Sequence, residues 1–153
     1  MIKTEKSIVI DAPVEKVFAY IYDPANEPEY MTGVHEVKDV QRLPDGRYTY
    51  TEVSKFLGMD VDYTCEYTEV IPNELIVEKT HGGGTDGSMS LRFERLEDSK
   101  TRVSMVGESS LHGGPMAKFG ESFLAKFFDH GSEMAMEAAK AHIEAAARVA
   151  ATR

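Results

Sequence analysis

The sequence has little of what marks secreted, membrane-spanning or nucleic-acid-binding proteins. Its one cysteine, Cys65, excludes a disulfide within the chain, which is typical of a reducing compartment. No apolar run approaches the roughly 20 residues of a membrane-spanning helix, and no basic segment followed by an apolar stretch opens the chain. Lys and Arg number 17 against 26 Asp and Glu, and the net charge of −9 would repel a phosphate backbone. We therefore expect a cytoplasmic protein that neither binds nucleic acid nor inserts into a membrane.

Motifs for cofactors, metals and nucleophiles are also scarce. Gly82–Gly87 satisfies G-x-G-x-x-G, but the residues after it alternate like a strand, whereas pyrophosphate binding needs a helix there. We interpret this segment as a hairpin loop. None of the five histidines lies at metal-ligand spacing from another histidine, a cysteine or an acid. Cys65 lies in the buried phase of a strand, which favours a small packing residue over a nucleophile. We expect no cofactor, no metal and no nucleophilic catalyst.

What the sequence does contain is a long series of strand patterns. Its 153 residues suit a single domain spanning residues 1–153. A β-rich run predicts a strand at Thr4–Ile10, helical spacing predicts a short helix from Pro13 to about Tyr22, and a second short helical segment follows at Ala25–Met31. Turn residues such as Pro44-Asp45-Gly46 then separate six predicted strands. These strands are Val34–Arg42, Arg47–Phe56, Met59–Val70 and Leu75–Thr80, with two more around residues 88–94 and 101–107.

The last third of the chain, from Pro115 to Arg153, predicts one long helix. Apolar residues recur there every three or four positions, at Met116, Phe119, Phe123, Phe127, Met134, Ala138, Ala141 and Ala145. We expect this stripe to face the sheet. His130 falls within it, where it is either a core histidine bonded to a neighbour or a polar anchor or acid–base group for a ligand.

Consecutive strands with short connections imply an antiparallel meander, which twists and wraps around the helix that it buries. The predicted fold is α+β: a curved antiparallel sheet of about seven strands around a long C-terminal helix, with two short helices after the first strand. Such an arrangement tends to leave a cavity between sheet and helix.

Two stretches near the start, residues 7–18 (SIVIDAPVEKVF) and residues 22–30 (YDPANEPEY), resemble the opening of the Bet v 1-like, or START-like helix-grip, superfamily. The nearest subgroup is that of bacterial polyketide cyclase/dehydrase and lipid-transport proteins. Tyr30 stands where many relatives carry tryptophan. The resemblance implies a deep, largely apolar cavity that holds a lipid, a quinone, a hormone or a polyketide intermediate.

Three functions follow as hypotheses. The first is binding of a small hydrophobic ligand: a lipid, an isoprenoid or quinone, or an aromatic polyketide-like molecule. The second is cofactor-independent cyclisation or dehydration, with a cavity histidine or tyrosine as acid or base. The third is a chaperone-binding or regulatory domain whose cavity has collapsed. The sequence leaves oligomeric state open and assigns no catalytic residue. The residues expected to line the cavity are Tyr30, Tyr63, Tyr67, Val77, Met89, Leu91, Met105, Phe119, Phe123, Phe127 and His130.

Overall fold

The computed structural model describes residues 1–152, which form seven strands and three α-helices. The strands are β1 (Ile2–Ile10), β2 (Val34–Arg42), β3 (Tyr48–Phe56), β4 (Met59–Ile71), β5 (Leu75–Gly82), β6 (Thr85–Glu97) and β7 (Lys100–Leu111). The helices are α1 (Val14–Tyr22), α2 (Glu27–Tyr30) and α3 (Glu121–Ala151), with short 3₁₀ turns at Pro24–Asn26 and Ala117–Phe119. No helix within the described residues is long and apolar enough to cross a membrane.

All seven strands belong to one antiparallel sheet, in the order β1-β7-β6-β5-β4-β3-β2. Every connection between β2 and β7 joins neighbours, and β1 completes the sheet by pairing with β7. The sheet and its long C-terminal helix form the helix-grip α+β fold, which confirms the predicted architecture. The glycine-rich segment is the hairpin turn between β5 and β6, as expected.

Helix α3 begins later than the sequence pattern suggested. Gly120, with φ +80°, separates the Ala117–Phe119 turn from the helix, so Met116 and Phe119 lie outside α3. The helix packs against β1, α1 and α2. Two lysines hold it to β1: Lys6 Nζ lies 2.9 Å from Asp129 Oδ2, and Lys140 Nζ donates to the Val9 carbonyl at 2.7 Å.

The face that α3 buries also differs from the predicted one. Its buried residues are Leu124, Ala139 and Ile143. Phe123, Phe127 and Met134 are 46%, 38% and 42% exposed. His130, Ala141 and Ala145 are exposed as well. The expected inward orientation is therefore wrong for Met134, His130, Ala141 and Ala145. It holds for Met116, which is fully buried, and in part for Phe127, which packs against the buried Phe56 with ring centroids 4.8 Å apart.

Two apolar clusters close the ends of the interior. One gathers around α1 and the C-terminal part of α3 and includes Phe18, Tyr67, Phe93 and Ile143. The other joins the β3–β4 hairpin to the start of α3 and includes Phe56, Val61, Met116 and Leu124. Tyr63 packs against both clusters.

Close backbone contact ties the β5–β6 turn to the segment before α3. The amide of His112 donates to the Gly84 carbonyl at 2.7 Å. A Cβ on Gly84 would overlap the carbonyl of Gly113, and Gly84 has φ +83°. Only glycine combines that conformation with this approach.

Strand β2 forms one edge of the sheet and is irregular. Its pairing with β3 shifts register between Lys38 and Gln41, and Asp39 between them has φ +55°. The strand is largely exposed.

Candidate functional site

The middle of the concave face is less covered than its two ends. Strand register places Thr80, Gly87, Met89 and Gly107 side by side on this face of β5, β6 and β7. All four are half-buried, whereas residues nearer the ends, such as Phe93 and Val103, are buried. The centre of the sheet is therefore an open floor between two packed clusters.

Two glycines have open space at their Cβ positions, one in the floor and one on α3. A Cβ built on Gly107, in the floor, meets only one atom within 4 Å, the Ser88 carbonyl oxygen at 4.0 Å. A Cβ built on Gly131, in the half-buried part of α3, meets nothing within 4 Å. Protein interiors are normally filled to contact distance. Unfilled space on the concave face is the feature that a small ligand needs.

A buried network of three glutamates and a tyrosine borders this floor. Glu78 on β5 pairs directly with Met89 of the floor. The Tyr50 hydroxyl lies 2.9 Å from Glu78 Oε1 and 2.6 Å from Glu27 Oε1. A carboxylate oxygen of Glu52 lies within 4.8 Å of one of Glu78. The four side chains come from β3, β5 and the start of α2, and each is at most 6% exposed.

Burial favours the neutral form of Glu27 and Glu78. Desolvation raises the pKa of Glu78 to about 8, and repulsion from Glu52 adds to the shift. The pKa of Glu27 is also raised, first by burial and then by Glu52. Burial raises the pKa of the Tyr50 hydroxyl well above its usual range. At neutral pH the site therefore offers an uncharged carboxylic acid beside a tyrosine.

Cys65 lies beside the same network. A donor atom of Cys65 and one each of Glu52 and Glu78 lie within 4.8 Å of one another. Sulfur with two carboxylates is a donor set that zinc accepts, although zinc bonds of about 2.0–2.3 Å would require these side chains to draw together. Burial raises the pKa of the Cys65 thiol, which disfavours the thiolate that a nucleophile or metal ligand needs.

Tyrosines form the wall around the acids. Tyr67 stacks edge-on against Tyr50, with ring centroids 5.8 Å apart, and its hydroxyl donates to the Tyr22 carbonyl at 2.9 Å. The Tyr63 hydroxyl lies 3.3 Å from Met116 Sδ, and burial raises the pKa of Tyr63 to about 12. Tyr30 on α2 is half-buried and packs against the cluster around α1. Each combines apolar surface with a hydroxyl.

The residues that the sequence assigned to the cavity are divided by the structure. Tyr63, Tyr67, Met89, Leu91 and Met105 share the concave face, as expected. Val77 does not, because it pairs with Ser90 on the convex side of the sheet. Phe119 lies in the turn before α3, where it packs against Phe56 at 5.6 Å. Phe127 is partly exposed but packs edge-on against the buried Phe56, with ring centroids 4.8 Å apart, and Phe123 stacks on Phe127. His130 is exposed, so it is not a core histidine. The part of any of these residues in ligand binding stays a prediction.

The sequence analysis missed the buried acids. One signal was available: Glu52 lies between Tyr50 and Ser54 at even positions of β3, in phase with the buried Phe56. A glutamate in the buried phase of a strand is unusual and indicates a polar interior site. Glu78 carries the same signal after Ile76 on β5.

Two surface depressions lie away from the centre of the concave face. One, of about 360 Å³, is a groove over β2–β5 that includes Asp39, Gln41, Thr64 and His81. The other, also about 360 Å³, lies between β1 and α3 and is lined by Ile8, Glu137, Lys140, Ala141 and Glu144. Neither is lined by the floor residues Met89 and Gly107, so the floor is a separate feature of the concave face.

Comparison with known proteins assigns the family. The family described as polyketide cyclase / dehydrase and lipid transport matches residues 1–144. The chain belongs to this family. A relative from Streptomyces lincolnensis, an uncharacterized 17.2 kDa protein, is 30% identical over 105 residues, which cover 69% of this chain and 67% of that protein.

Solved structures of other proteins share this fold at low sequence identity. The Zhui aromatase/cyclase from Streptomyces sp. R1128 superimposes with a TM-score of 0.81 at 12% identity, covering 93% of both chains. A START superfamily protein from Mycobacterium smegmatis gives a TM-score of 0.81 at 14% identity, covering 94% of this chain and 98% of that one. The di-domain aromatase/cyclase BexL gives 0.72 at 19% identity, covering 94% of this chain and 47% of that one.

Proposed function

We propose that the protein binds a small, largely apolar, uncharged molecule with oxygen substituents over the open floor of the concave face. The observation that carries the proposal is the open space at Gly107, on the same face of the sheet as the hydrogen-bonding groups of Glu78 and Tyr50, together with the open space at Gly131 on α3. Apolar walls with a few placed polar groups are typical of small-molecule sites.

The charge of the site favours one ligand class over others. The three buried glutamates have no ion-pair partner within the described residues, so the site offers no cation to a carboxylate, and a fatty-acid anion is a poor fit. The oxygen of a neutral ketone, quinone or phenol can instead accept a hydrogen bond from a carboxylic acid or a hydroxyl. The apolar part of such a molecule can pack on Met89 and the tyrosines. The aromatase/cyclase fold relatives make an aromatic polyketide-like compound the first candidate.

The test is a binding screen with a space-filling variant. Thermal shift and calorimetry would compare an aromatic polyketide, an isoprenoid quinone, a flavonoid and a fatty acid, since a true ligand stabilises the fold by mass action. Gly107→Val fills the floor and should weaken binding at least about 10-fold, or about 1.4 kcal/mol. Glu108→Val adds the same side chain at an exposed position next along β7 and should leave binding unchanged. If no compound binds, or if Gly107→Val binds as well as the native protein, the proposal fails.

Acid–base catalysis is the second candidate, favoured by the placement of Tyr50 between two carboxyls. A neutral Glu78 near a bound ligand is suited to donate a proton during cyclisation or dehydration. Glu78→Gln keeps the shape of the side chain and should retain binding while slowing turnover about 100-fold or more. Absence of product with the native protein, for a compound that binds, would leave binding as the function.

A further inference from the structure

Strand register brings two histidines to one carboxylate on the convex side of the sheet. His81 on β5 pairs directly with Asp86 on β6, and Asp86 pairs with Ser110 on β7. Their neighbour Thr80 belongs to the concave floor, so these side chains lie on the opposite side. His112 follows just after β7. The sequence analysis expected no metal site because the two histidines are far apart along the chain.

The Asp86 carboxylate contacts both imidazole rings. His81 Nδ1 lies 2.6 Å from Asp86 Oδ1, and His112 Nε2 lies 2.7 Å from Asp86 Oδ2. Ser110 Oγ lies 3.1 Å from the same nitrogen of His112. Within residues 1–152 no lysine or arginine pairs with Asp86. Two ring nitrogens and one carboxylate therefore meet without a side-chain cation that would compete for the carboxylate.

The backbone beneath these side chains is fixed, whereas the side chains are exposed. The His112 amide donates to the Gly84 carbonyl at 2.7 Å, and a Cβ on Gly84 would overlap the Gly113 carbonyl. The exposed fractions of the side chains are 59% for His81, 50% for Asp86 and 58% for His112. The backbone contacts therefore set the spacing of the three groups, and each side chain can rotate toward an ion that arrives from solvent.

The donor set and its spacing suit a transition-metal ion. Imidazole nitrogen together with carboxylate oxygen is typical of zinc sites, whereas Mg²⁺ and Ca²⁺ prefer oxygen ligands alone. Zinc bonds of about 2.0–2.2 Å place two ligand atoms of one ion about 3 Å apart. The two N–O distances of 2.6 and 2.7 Å are slightly shorter than that. Because the rings contact different carboxylate oxygens, they must also turn toward each other to share one ion, which their exposure permits.

We propose that His81, Asp86 and His112 bind one Zn²⁺ or a similar divalent transition-metal ion, with water completing its coordination. The ion links the β5–β6 turn to the segment that leads to Met116, whose side chain is fully buried at one end of the interior. The site is separate from the concave floor, so it does not depend on the ligand binding proposed above.

Calorimetric titration of the metal-free native protein with Zn²⁺ tests the site. One ion per chain should bind, and Mg²⁺ at the same concentration should not. His81→Ala and Asp86→Asn should each weaken zinc binding about 10-fold or more, since each removes a ligand. His35→Ala, at an exposed histidine on β2, is the matched control and should bind zinc like the native protein. Absence of zinc binding by the native protein, or equal affinity in all three variants, overturns the proposal.

Two further measurements locate the ion. In NMR spectra of the imidazole groups, Zn²⁺ should shift the signals of His81 and His112 and leave those of exposed His130 unchanged. Equal shifts at all three histidines would indicate nonspecific surface binding and overturn the proposal. Cys65→Ser should retain zinc affinity, and a loss there would assign the ion to the buried Cys65 group instead. A ligand screen that finds nothing leaves all these outcomes unaffected.

Discussion

Tyr50 connects two carboxyl groups that would otherwise lack a partner in the interior. Removing its hydroxyl in Tyr50→Phe leaves Glu27 and Glu78 each short of a hydrogen bond, at about 1–3 kcal/mol of unfolding free energy. Urea denaturation measures the loss. Tyr48→Phe, a half-buried tyrosine on the same face of β3, is the matched control and should change stability by less than about 0.5 kcal/mol. Equal losses in both variants would contradict the role given to the Tyr50 hydroxyl.

Gly84 tests the backbone contact at the β5–β6 turn. Gly84 and Gly58 have nearly equal φ angles, +83° and +82°, but only Gly84 approaches another chain segment. Gly58→Ala should cost about 1–2 kcal/mol, the strain of a left-handed residue. Gly84→Ala should cost clearly more, because the methyl group overlaps the Gly113 carbonyl. Thermal denaturation compares the two variants. Equal midpoints would mean that the β5–β6 turn can move away from Gly113 without a loss of stability.

At the residue scale, the sequence predicted burial better than chemistry. Period-2 alternation placed Cys65 and Tyr67 on the buried face of β4, and the structure confirms both. The same rule applied to β3 would have placed Glu52 inside. Which acids meet each other depends on strands β3 and β5 being two apart, and on Glu27 arriving from α2. No local sequence pattern indicates the distances between side chains on β3, β5 and α2.

Helix α3 shows that a sequence pattern can identify a helix without identifying which of its faces is buried. Its helical period is clear, but apolar residues cover more than one face, so the predicted stripe combined Phe127, which reaches the buried Phe56, with the more exposed Phe123 and Met134. Leu124, which is fully buried, and the small Ala139 mark the true contact. The turn at Ala117–Phe119 and Gly120 also breaks the phase between Met116 and the helix. Helical periodicity alone cannot show such a break.

The two faces of α3 should respond differently to truncation. Leu124→Ala removes a fully buried side chain and should cost about 2–5 kcal/mol. Met134→Ala, at a position 42% exposed, should cost less than about 1 kcal/mol. Chemical denaturation of both variants decides between the observed and the originally predicted face. A larger loss for Met134→Ala would restore the predicted one.

Gly131 offers a substitution that should strengthen the helix. It lies within α3 with open space at its Cβ position, so alanine meets no clash. Gly131→Ala should raise the unfolding free energy by about 1 kcal/mol through helix propensity. Gly120→Ala is the contrasting variant, since Gly120 has φ +80° and should lose stability instead. A loss of stability in Gly131→Ala would show that the space there is already filled.

For the whole molecule, the buried acids predict an unusual dependence of stability on pH. Glutamates in an unfolded chain have a pKa of about 4.3, whereas burial raises the pKa of Glu78 to about 8. Between these values the folded state binds more protons than the unfolded state. The unfolding free energy should therefore fall as pH rises from about 5 to about 8, by up to about 1.4 kcal/mol per pH unit for each retained proton.

Denaturation midpoints across that range measure the effect. Glu78→Gln carries no titrating proton and should show a shallower fall than the native protein, whereas Glu66→Gln, at an exposed site, should follow the native slope. A native stability that is flat or rising between pH 5 and pH 8 would contradict the protonated cluster. Below about pH 4 the opposite trend is expected, because ion pairs and hydrogen bonds lower the pKa values of Asp45, Asp60 and Asp86.

The fold as a whole was predictable because each of its parts carries a local signal. Turn residues such as Pro44 and Gly46 separated the strands, and short connections fixed their antiparallel order. The volume left between sheet and helix was not predictable, since it depends on where small residues such as Gly107 on β7 and Gly131 on α3 leave open space at their Cβ positions.

The irregular edge strand β2 affects whether copies of this protein can pair edge to edge at high concentration. A straight β2 would present an unbroken row of amide and carbonyl groups to which another molecule's strand can attach. The kink at Asp39 twists that row out of line, and the neighbouring charges of Lys38 and Glu36 oppose dry stacking. Deleting Asp39 would regularise the strand, and we expect it to favour edge-to-edge pairing between copies and the growth of fibrils.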